Sequence, residues 1–357
     1  MSITTGYLTS TGVDIGTLFA AGSSAITTGY LNSTGVDIGT LFAPYQTWKK
    51  VVTGTQVFNL PIWAIDAYDS THIYVGGQFT TPYPYITMFN GTSFTQMGTA
   101  LNTYVLTINA IDPSHVFFGG AFTYYVAMWN GSSWATITSP PNAIVRCISS
   151  YDLTNVYIGG DFTSPFNGIT RYNFYNNTWN NFGTISGGST YRVNAIAVYD
   201  LSNVFIGGTY TSIDTKVGNF SRWDGSVWNA CGTTNNRLYT ISIYDLTHVY
   251  VGTIAAYFGM WNGSTLTKSS KTFTGSMYYM YAKDPSNVYI GGINLVIGGV
   301  AIRACIWNSN TDSITSISLT GSGVNAIEPL KYSNDIYFGG DFTAIGGLTT
   351  KNIAKYG

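Results

Sequence analysis

The sequence predicts an all-β protein: a seven-bladed β-propeller with four strands in each blade, preceded by a short apolar arm. The main observation is a glycine-rich phrase, complete at residues 337–343 as Tyr-Phe-Gly-Gly-Asp-Phe-Thr, that recurs seven times. Its first glycines stand 39 to 48 residues apart, at Gly76, Gly119, Gly159, Gly207, Gly252, Gly291 and Gly339. Repeats of this length that are rich in strand-forming residues are typical of propeller blades.

The composition supports the same fold class. Charged residues make up only 9% of the 357, Glu328 is the one glutamate, and Gly (41) and Tyr (28) are abundant. Such a chain is poor in helix formers and rich in residues that suit strands. The net charge of −1 gives no electrostatic footprint for nucleic acid or an anionic membrane. No apolar run is long enough for a membrane span, and the first residues lack the features of a signal peptide.

One unit illustrates the first two strands of a blade. Residues 193–199 are mostly apolar and β-prone, as expected for an inner strand. Residues 200–203 follow as a turn, because the Asp200 carboxylate can accept a backbone N–H two residues on. Residues 204–208 form the second strand, and its glycine pair indicates either a close approach of two backbones or a bulge.

The same unit continues with two outer strands. Residues 219–223 are the third strand, and Asp224-Gly225 is predicted as a two-residue hairpin turn with positive φ at both positions. Residues 226–230 form the fourth, outer strand. Asn-Gly pairs recur at the same place in other units, after Phe89, Trp129 and Trp261. Four strands in each of seven units predict the propeller.

The two ends of the chain predict how the ring closes. Residues 353–357 end the chain after the third strand of the seventh unit, and residues 46–52 match a fourth strand in the placement of their tryptophan. An N-terminal strand that completes the last blade would leave no unpaired seam. The expected ring-closure residues are Trp48, Val51, Ile353 and Tyr356.

The seventh unit also carries a family resemblance. Residues 339–356, with Gly-Gly-Asp-Phe-Thr followed by Ile-Ala-Lys-Tyr, resemble the repeats of Rax2-like cortical marker propellers and related kelch-like bacterial surface proteins. The likeness extends over residues 46–357 and is closest in the fourth and seventh units. It implies a propeller with a binding or structural role, and it supplies no catalytic residues.

Residues 1–44 form the arm, which consists of two tandem modules. Residues 3–20 recur as residues 26–43 with a single change, Thr9 to Asn32. The second copy ends Ala43-Pro44-Tyr45, and it resembles short tandem modules of structural proteins of large DNA viruses and phages. The resemblance implies a role in assembly.

Modules of this length cannot bury their own apolar residues, so two of them are too small for an independent core. The arm therefore docks on the propeller, docks on another subunit, or stays exposed and aggregates. One helical turn with Asp14 as its N-cap and a strand edge fit the pattern equally well. The apolar residues expected to make the contact are Tyr7, Leu8, Val13, Ile15, Leu18, Phe19, Tyr30, Leu31, Val36, Ile38, Leu41 and Phe42.

No catalytic constellation is evident. His72, His115 and His248 all lie four residues before the first glycine of their units, where other units carry Asn or Asp, and this indicates turn residues. Asp161 and Asp341 follow a glycine pair, where a loop role is favoured over a carboxylate cluster. Three cysteines at unrelated places indicate buried free thiols and neither a disulfide nor a metal site. We therefore expect no enzyme and no cofactor.

Aromatic residues in the loops after the glycine phrase are the candidate binding groups. Exposed rings could stack on sugar faces, and the alternative is that they pack between blades or at a subunit interface. These residues are Tyr83, Tyr85, Tyr124, Tyr125, Phe166 and Tyr257.

The sequence thus predicts a structural protein, a subunit of a virion, fibre or other extracellular polymer that assembles with its own copies through the arm. Carbohydrate-dependent adhesion to a host or cell surface is the alternative function. A hydrolase or oxidase is the third and weakest possibility, because the sequence displays no ligands or acids for it.

Overall fold

A computed structural model describes residues 46–357 except residues 52–53, 55, 99–100, 188–190, 235, 255–256 and 332. The arm and its twelve apolar residues lie outside the described residues, so its predicted docking stays a prediction. Within the described part of the chain the secondary structure is entirely β, and no helix there has the length and apolarity to cross a bilayer.

The described strands follow one another closely along the chain. In order they are β1 (Trp48–Lys49), β2 (Ile62–Asp69), β3 (His72–Gly77), β4 (Ile86–Phe89), β5 (Phe94–Gln96), β6 (Val105–Asp112), β7 (His115–Gly120), β8 (Val126–Trp129), β9 (Trp134–Ala135), β10 (Val145–Asp152), β11 (Asn155–Gly160), β12 (Ile169–Asn173), β13 (Thr178–Asn181), β14 (Ile185–Ser186), β15 (Val193–Asp200), β16 (Asn203–Gly208), β17 (Ser212–Ile213), β18 (Lys216–Val217), β19 (Phe220–Trp223), β20 (Trp228–Gly232), β21 (Leu238–Asp245), β22 (His248–Thr253), β23 (Phe258–Trp261), β24 (Leu266–Lys268), β25 (Phe273–Asp284), β26 (Asn287–Ile297), β27 (Val300–Ala301), β28 (Ala304–Asn308), β29 (Ser313–Ser316), β30 (Leu319–Pro329), β31 (Ile336–Ile345), β32 (Leu348–Thr349) and β33 (Ile353–Tyr356).

Most of these strands form four-stranded antiparallel sheets. The described residues contain five such sheets: β2–β5, β6–β9, β10–β13, β15-β16-β19-β20 and β21–β24. A small sheet of β14, β17 and β18 accompanies the fourth. A larger sheet joins the last two units with β1, because β26 and β30 touch at one pair of residues and β1 pairs with β33. The predicted all-β class and the antiparallel four-stranded unit are confirmed.

The seven strands that open the units pack side by side. We call them the inner strands: β2, β6, β10, β15, β21, β25 and β30. Each lies against the next one in chain order, and β30 lies against β2. Apolar cores fill the spaces between neighbouring sheets, as where Tyr74 of β3 meets Phe118 of β7.

The first glycine of each phrase makes room for the next sheet. A Cβ atom on Gly76 would collide with Val105, the first residue of the next inner strand, and one on Gly207 would collide with Leu238. All seven first glycines face an apolar side chain of the next inner strand in this way, and the last of them, Gly339, faces Ile62 of the first.

The second glycine permits a close approach within its own sheet. The backbone N–H of Thr209 donates a hydrogen bond to the carbonyl of Arg192 at 3.0 Å, which brings that oxygen against the Cα of Gly208. A register shift also occurs here, but on the inner strand opposite the glycines, between Val193 and Ala195. The predicted close approach of two backbones is therefore present in the fourth unit, whereas the bulge lies on the inner strand and not at the glycine pair.

The predicted two-residue hairpin is wrong. Trp223 pairs directly with Trp228, so the connection is a four-residue loop, and only Gly225 in it has positive φ, at 99°. The Asp224 carboxylate accepts the backbone N–H groups of Ser226 and Val227, both at 2.9 Å. This side-chain cap stabilises the longer loop in place of the two-residue turn. The outer strand therefore begins at residue 228 and not at residue 226.

Candidate functional site: the cavity between the inner strands

The inner strands enclose a cavity of about 400 Å³. Each contributes the residue at the register shift opposite the first glycine of its unit, an extra residue that has no partner on the second strand. A bulge of this kind re-aims one side chain out of the regular alternation. The seven bulge residues that line the cavity are Trp63, Leu106, Arg146, Asn194, Tyr239, Tyr278 and Asn325.

The inner strands also have backbone N–H groups on their free edges, where no further strand pairs with them. Side chains of the preceding inner strand satisfy several of them: Thr107 Oγ1 accepts the N–H of Ile148 at 3.2 Å, and Ser242 Oγ accepts that of Ala282 at 2.9 Å. These bonds connect nearly equivalent positions, so neighbouring inner strands run in the same direction. Unpaired buried N–H groups are costly, which explains the short polar residues here.

Two bulge residues are asparagines with the same geometry. Asn194 Nδ2 donates to the carbonyl of Leu238 at 2.9 Å, and Asn325 Nδ2 donates to that of Ile62 at 3.1 Å. Because a carbonyl can only accept, these bonds fix which end of each amide is the nitrogen. The opposite oxygen, Oδ1, is buried without a hydrogen-bond partner in both residues.

Arg146, also a bulge residue, is held by a carboxylate. Its Nε and Nη2 donate to the two oxygens of Asp161 at 2.5 and 2.7 Å, a bidentate geometry, and Arg192 approaches the same carboxylate at 3.5 Å. Asp161, which the sequence predicts as a loop residue, therefore balances the positive charge of Arg146 at the cavity.

A pair of carboxyl groups lies deeper along the inner strands, at equivalent positions of β2 and β30. Asp66 Oδ2 accepts the N–H of Ala110 at 2.7 Å. Burial raises the pKa of Asp66 to about 6, although that bond and the charge of Lys331 oppose the change. Burial, and then the charge of Asp66 and a hydrogen bond with it, raise the pKa of Glu328 well above its usual value. The pair therefore keeps a proton in the folded protein.

We expect Glu328→Gln to stabilise the protein at neutral pH. The folded pair holds its proton at a pH where the unfolded chain has lost it, so stability falls as the pH rises from about 4 through about 6 and beyond. The variant avoids that loss and should therefore be more stable than the wild type at neutral pH, by an amount that grows as the pH rises above about 4. Chemical denaturation at a series of pH values measures the difference, which should vanish near pH 4.

Asp152→Asn is the matched control with the opposite sign. Hydrogen bonds from Thr154 and Asn155 outweigh burial and lower the pKa of Asp152, so this variant should lose stability at neutral pH. A Glu328→Gln effect that is the same at acid and neutral pH would contradict the shared-proton account.

The six predicted loop aromatics lie between the second and third strands of four different sheets, and they do not form one cluster. Tyr124 is the exposed member, with 69% of its surface accessible. Tyr83, Tyr125 and Tyr257 are half-buried and pack against the cores between sheets. Tyr85 and Phe166 are also partly buried. Packing between sheets, the alternative given above, thus describes at least three of the six.

The four residues predicted to close the ring lie in or beside the last sheet and the core next to it. Trp48 pairs with Tyr356, and its ring lies 4.9 Å from that of Phe338. Ile353 belongs to β33 and is buried, and Val51 packs against the same core.

The histidines are turn residues, as predicted. His72, His115 and His248 each place Nδ1 about 3 Å from the aspartate three residues earlier, as in the 3.0 Å contact of His72 with Asp69. All three cysteines are buried and unpaired. Among the described residues, no group of three or more His, Cys, Asp or Glu is arranged to hold a metal ion.

Solved structures show the fold class. The chain is similar to the WD40 repeats of RRP9 (10% identity, 87% of this chain and 99% of that one, TM-score 0.61). It is similar to the WD40 β-propeller domain of Doa1 (11%, 88% and 97%, TM-score 0.60). It is also similar to the extracellular domain of the two-component system BT4673 of B. thetaiotaomicron (15%, 87% and 39%, TM-score 0.62).

This chain is therefore a β-propeller repeat protein with four-stranded blades. No protein-family model and no curated protein matches it. At these identities the likeness shows the fold alone, and the finer resemblance of the blades to Rax2-like and kelch-like repeats stays a prediction.

Proposed function

We propose that the ring has seven blades and that β1 closes it as the outer strand of the last blade. The outer-strand tryptophans support this proposal, because each pairs with a tryptophan or a tyrosine of the third strand. The pairs are Trp134 with Trp129, Trp179 with Tyr172, Trp228 with Trp223 and, across the chain ends, Trp48 with Tyr356. The contact of Gly339 with Ile62, which matches the other six glycine contacts, also supports closure.

On this ring we propose a non-enzymatic structural function: the protein is a subunit of a virion, fibre or other extracellular assembly, and its arm docks on a neighbouring copy. The observation that carries the proposal is the near-identity of the two apolar modules, residues 3–20 and 26–43. A head-to-tail contact of this kind generates rings or filaments.

The described surface adds a second, independent support. Tyr151, Tyr199 and Tyr244 hold the last position but one of three neighbouring inner strands, and 45–52% of each is exposed. Leu201, in the turn after Tyr199, is 43% exposed. Exposed apolar side chains on neighbouring strands are typical of protein–protein contact sites.

The test is to compare the wild-type assembly with that of the double variant Phe19→Ser/Phe42→Ser. We expect the variant to be monomeric by light scattering and electron microscopy, with unchanged thermal unfolding, because it removes the largest apolar group of each module. Thr9→Asn, which makes the first module match the second, is the control and should assemble normally. An assembly that persists in the double variant and after deletion of residues 1–44 would refute the proposal.

Carbohydrate-dependent adhesion is the second candidate function. Tyr85, Tyr124 and Tyr125 adopt positive φ, at 65°, 74° and 61°. A bulky residue in this region is strained, and such strain is concentrated at functional sites. Tyr124 combines this backbone with an exposed ring that could stack on a sugar.

Glycan-array binding distinguishes this candidate. We expect Tyr124→Ala to abolish any glycan signal, whereas Tyr175→Ala should retain it. Tyr175 is equally exposed, at 72%, but lies in the loop between β12 and β13. Equal signals from the two variants would rule out the loop tyrosines as the glycan site.

A further inference from the structure

Three consecutive units, the third, fourth and fifth, expose apolar side chains at the same end of their sheets. Tyr151, Tyr199 and Tyr244 are the extra residues at the second register shift of their inner strands. A bulge of this kind turns a side chain out of the regular alternation, which explains their exposure. Asp and Leu follow each of them, and this Tyr-Asp-Leu phrase occurs in no other unit.

The loops between the third and fourth strands add to the same end of the sheets. The Phe174 N–H donates to the carbonyl of Leu153, in the first turn of its own unit, at 2.8 Å, so the two connections lie side by side. Tyr175 in one such loop is 72% exposed, and Val227 in the next is 51% exposed. We call this end of the three units, with its three tyrosines, Tyr175 and Val227, the tyrosine face.

Two arginines of the third strands reach the tyrosine face from equivalent places. Arg171 and Arg222 hold the same register opposite the second strand in the third and fourth units. Arg171 Nη1 donates to Oδ1 of Asn155 at 3.4 Å, and Arg222 Nε donates to Oδ1 of Asn203 at 2.7 Å. Both asparagines lie where the first turn meets the second strand, so each guanidinium is directed towards this face.

Each arginine also lies at a boundary between two of the three units. Arg171 and Trp223 of the next unit line a groove of about 530 Å³. Arg222 lies 5.9 Å from the ring of Trp261, which holds the place of Trp223 in the unit after that. We call these two boundaries, with Arg171 and with Arg222, the arginine clefts.

The positive charge of the arginine clefts is not balanced within the described part of the chain, where neither arginine forms an ion pair. Asp214 and Lys216 line the first groove as well, and their charges offset each other. The seventh unit has a lysine at the equivalent place, Lys355, but Asp335 pairs with it at 2.7 Å. A cation without a carboxylate beside apolar side chains favours an acidic, apolar partner.

The arm has this chemistry, and it has it twice. Asp14 and Asp37 are the only charged side chains of residues 1–44, one in each module, and each lies between a valine and an isoleucine. Two near-identical modules in tandem require two equivalent receptor sites, and the three units of the tyrosine face have two boundaries between them. Docking of both modules on one neighbouring copy would also be strengthened by the link between them.

We propose that the two modules of one copy dock in the two arginine clefts of a neighbouring copy, with one aspartate of the arm paired with Arg171 and the other with Arg222. The apolar residues of the modules then cover the exposed tyrosines. This inference rests on the proposed assembly function and adds the receptor surface to it.

The first test removes the two cations. Arg171→Met/Arg222→Met should preserve the fold, because Met88, Met128 and Met260 hold the equivalent places in other units. We expect this variant to need at least about tenfold more protein than the wild type to assemble, as measured by light scattering. Lys283→Met/Lys351→Met is the matched control. It removes the same charge from the sixth and seventh units and should assemble as the wild type does.

The second test exchanges the charges between two full-length variants. Asp14→Arg/Asp37→Arg places cations in the arm, and Arg171→Glu/Arg222→Glu places carboxylates in the clefts. We expect each variant alone to be monomeric, because like charges then meet in every contact. An equimolar mixture should assemble, because the arm of each variant fits the clefts of the other, and only docking between copies can produce this result.

Thermal unfolding shows whether each variant folds. If the glutamate variant does not fold, the methionine variant and the arm variant decide, since the arm variant leaves the described strands unchanged. The proposal is overturned if either of these assembles as the wild type does, or if the mixture of folded variants stays monomeric. Assembly lost in Phe19→Ser/Phe42→Ser but kept in Arg171→Met/Arg222→Met would overturn this docking site and leave the assembly function standing. A monomeric wild type would overturn both.

Discussion

We expect Gly208→Ala to be among the most destabilising substitutions in this protein that add a single methyl group. Its new Cβ would overlap the carbonyl oxygen of Arg192, and that oxygen cannot withdraw, because it accepts the backbone N–H of Thr209 at 3.0 Å. Relief requires a local shift of β15 against β16, because the same bond, from the Ile254 N–H to the carbonyl of Arg237 at 3.1 Å, is kept beside Thr253 in the fifth unit. Overpacking costs about 1–3 kcal/mol where side chains can adjust, and a clash between two backbones should cost at least about 3 kcal/mol on this scale. Urea unfolding monitored by tryptophan fluorescence measures the loss.

The fifth unit provides the matched control, because Thr253 stands where the other units have the second glycine. Thr253 pairs with Leu238 in the same register as Gly208 pairs with Val193. Thr253→Ala keeps the Cβ and loses only the buried hydroxyl that donates to the carbonyl of Tyr257 at 2.9 Å, so it should cost only about 1 kcal/mol. If Gly208→Ala were as mild as this, the backbone approach would not be the reason for the glycine.

The glycine phrase predicted the fold well because its first glycine makes room for the next inner strand in all seven units, and its second glycine makes room for a carbonyl in six of them. Gly207 admits Leu238 of the next inner strand, and Gly208 admits a carbonyl of its own sheet. Glycine leaves that space most easily, so the chain repeats the pair in six units, with Thr253 at the second place in the fifth, and the repeat is visible in the sequence. The turn aspartates are visible for the same reason, as Asp200 illustrates by accepting the N–H of Ser202 at 2.8 Å.

The cavity could not be predicted in this way. The bulge residues that line it hold one backbone position, directly before the residue that pairs with the first glycine of each unit, but they share no chemistry, as Trp63, Arg146 and Asn194 illustrate. The position becomes recognisable only once the register shift is known. The loop after the third strand was mispredicted for a related reason, since the Asp224-Gly225 pair suits both a two-residue turn and the four-residue loop that the aspartate side chain caps.

The carboxyl pair could not be predicted from the sequence either. Asp66 and Glu328 are 262 residues apart in the chain, and only the packing of β30 against β2 places them together. Glu328 is the single glutamate of the chain, but the residues next to it in the sequence do not indicate its partner.

Trp48→Ala should reveal whether the chain ends hold the ring together. The Trp48 ring lies 4.9 Å from Phe338 and 5.0 Å from Tyr356, and the glycine at Gly346, with φ of 56°, leaves room for the indole that a Cβ would fill. Replacing a packed tryptophan with alanine costs about 3–5 kcal/mol. We expect a loss near the lower figure, together with faster hydrogen exchange in β33 and β2, because those strands flank the seam.

Trp179→Ala is the comparison that makes this result specific. Trp179 holds the equivalent outer-strand place in the third unit and donates Nε1 to the carbonyl of Thr138 at 2.8 Å. Its loss should speed exchange only in the third sheet and its neighbours, since the chain is continuous there. At Trp48 no covalent link supports the contact, so the same truncation should open the seam between the first and last units. Exchange in β33 and β2 that stays at the wild-type rate in Trp48→Ala would show that β1 does not close the ring.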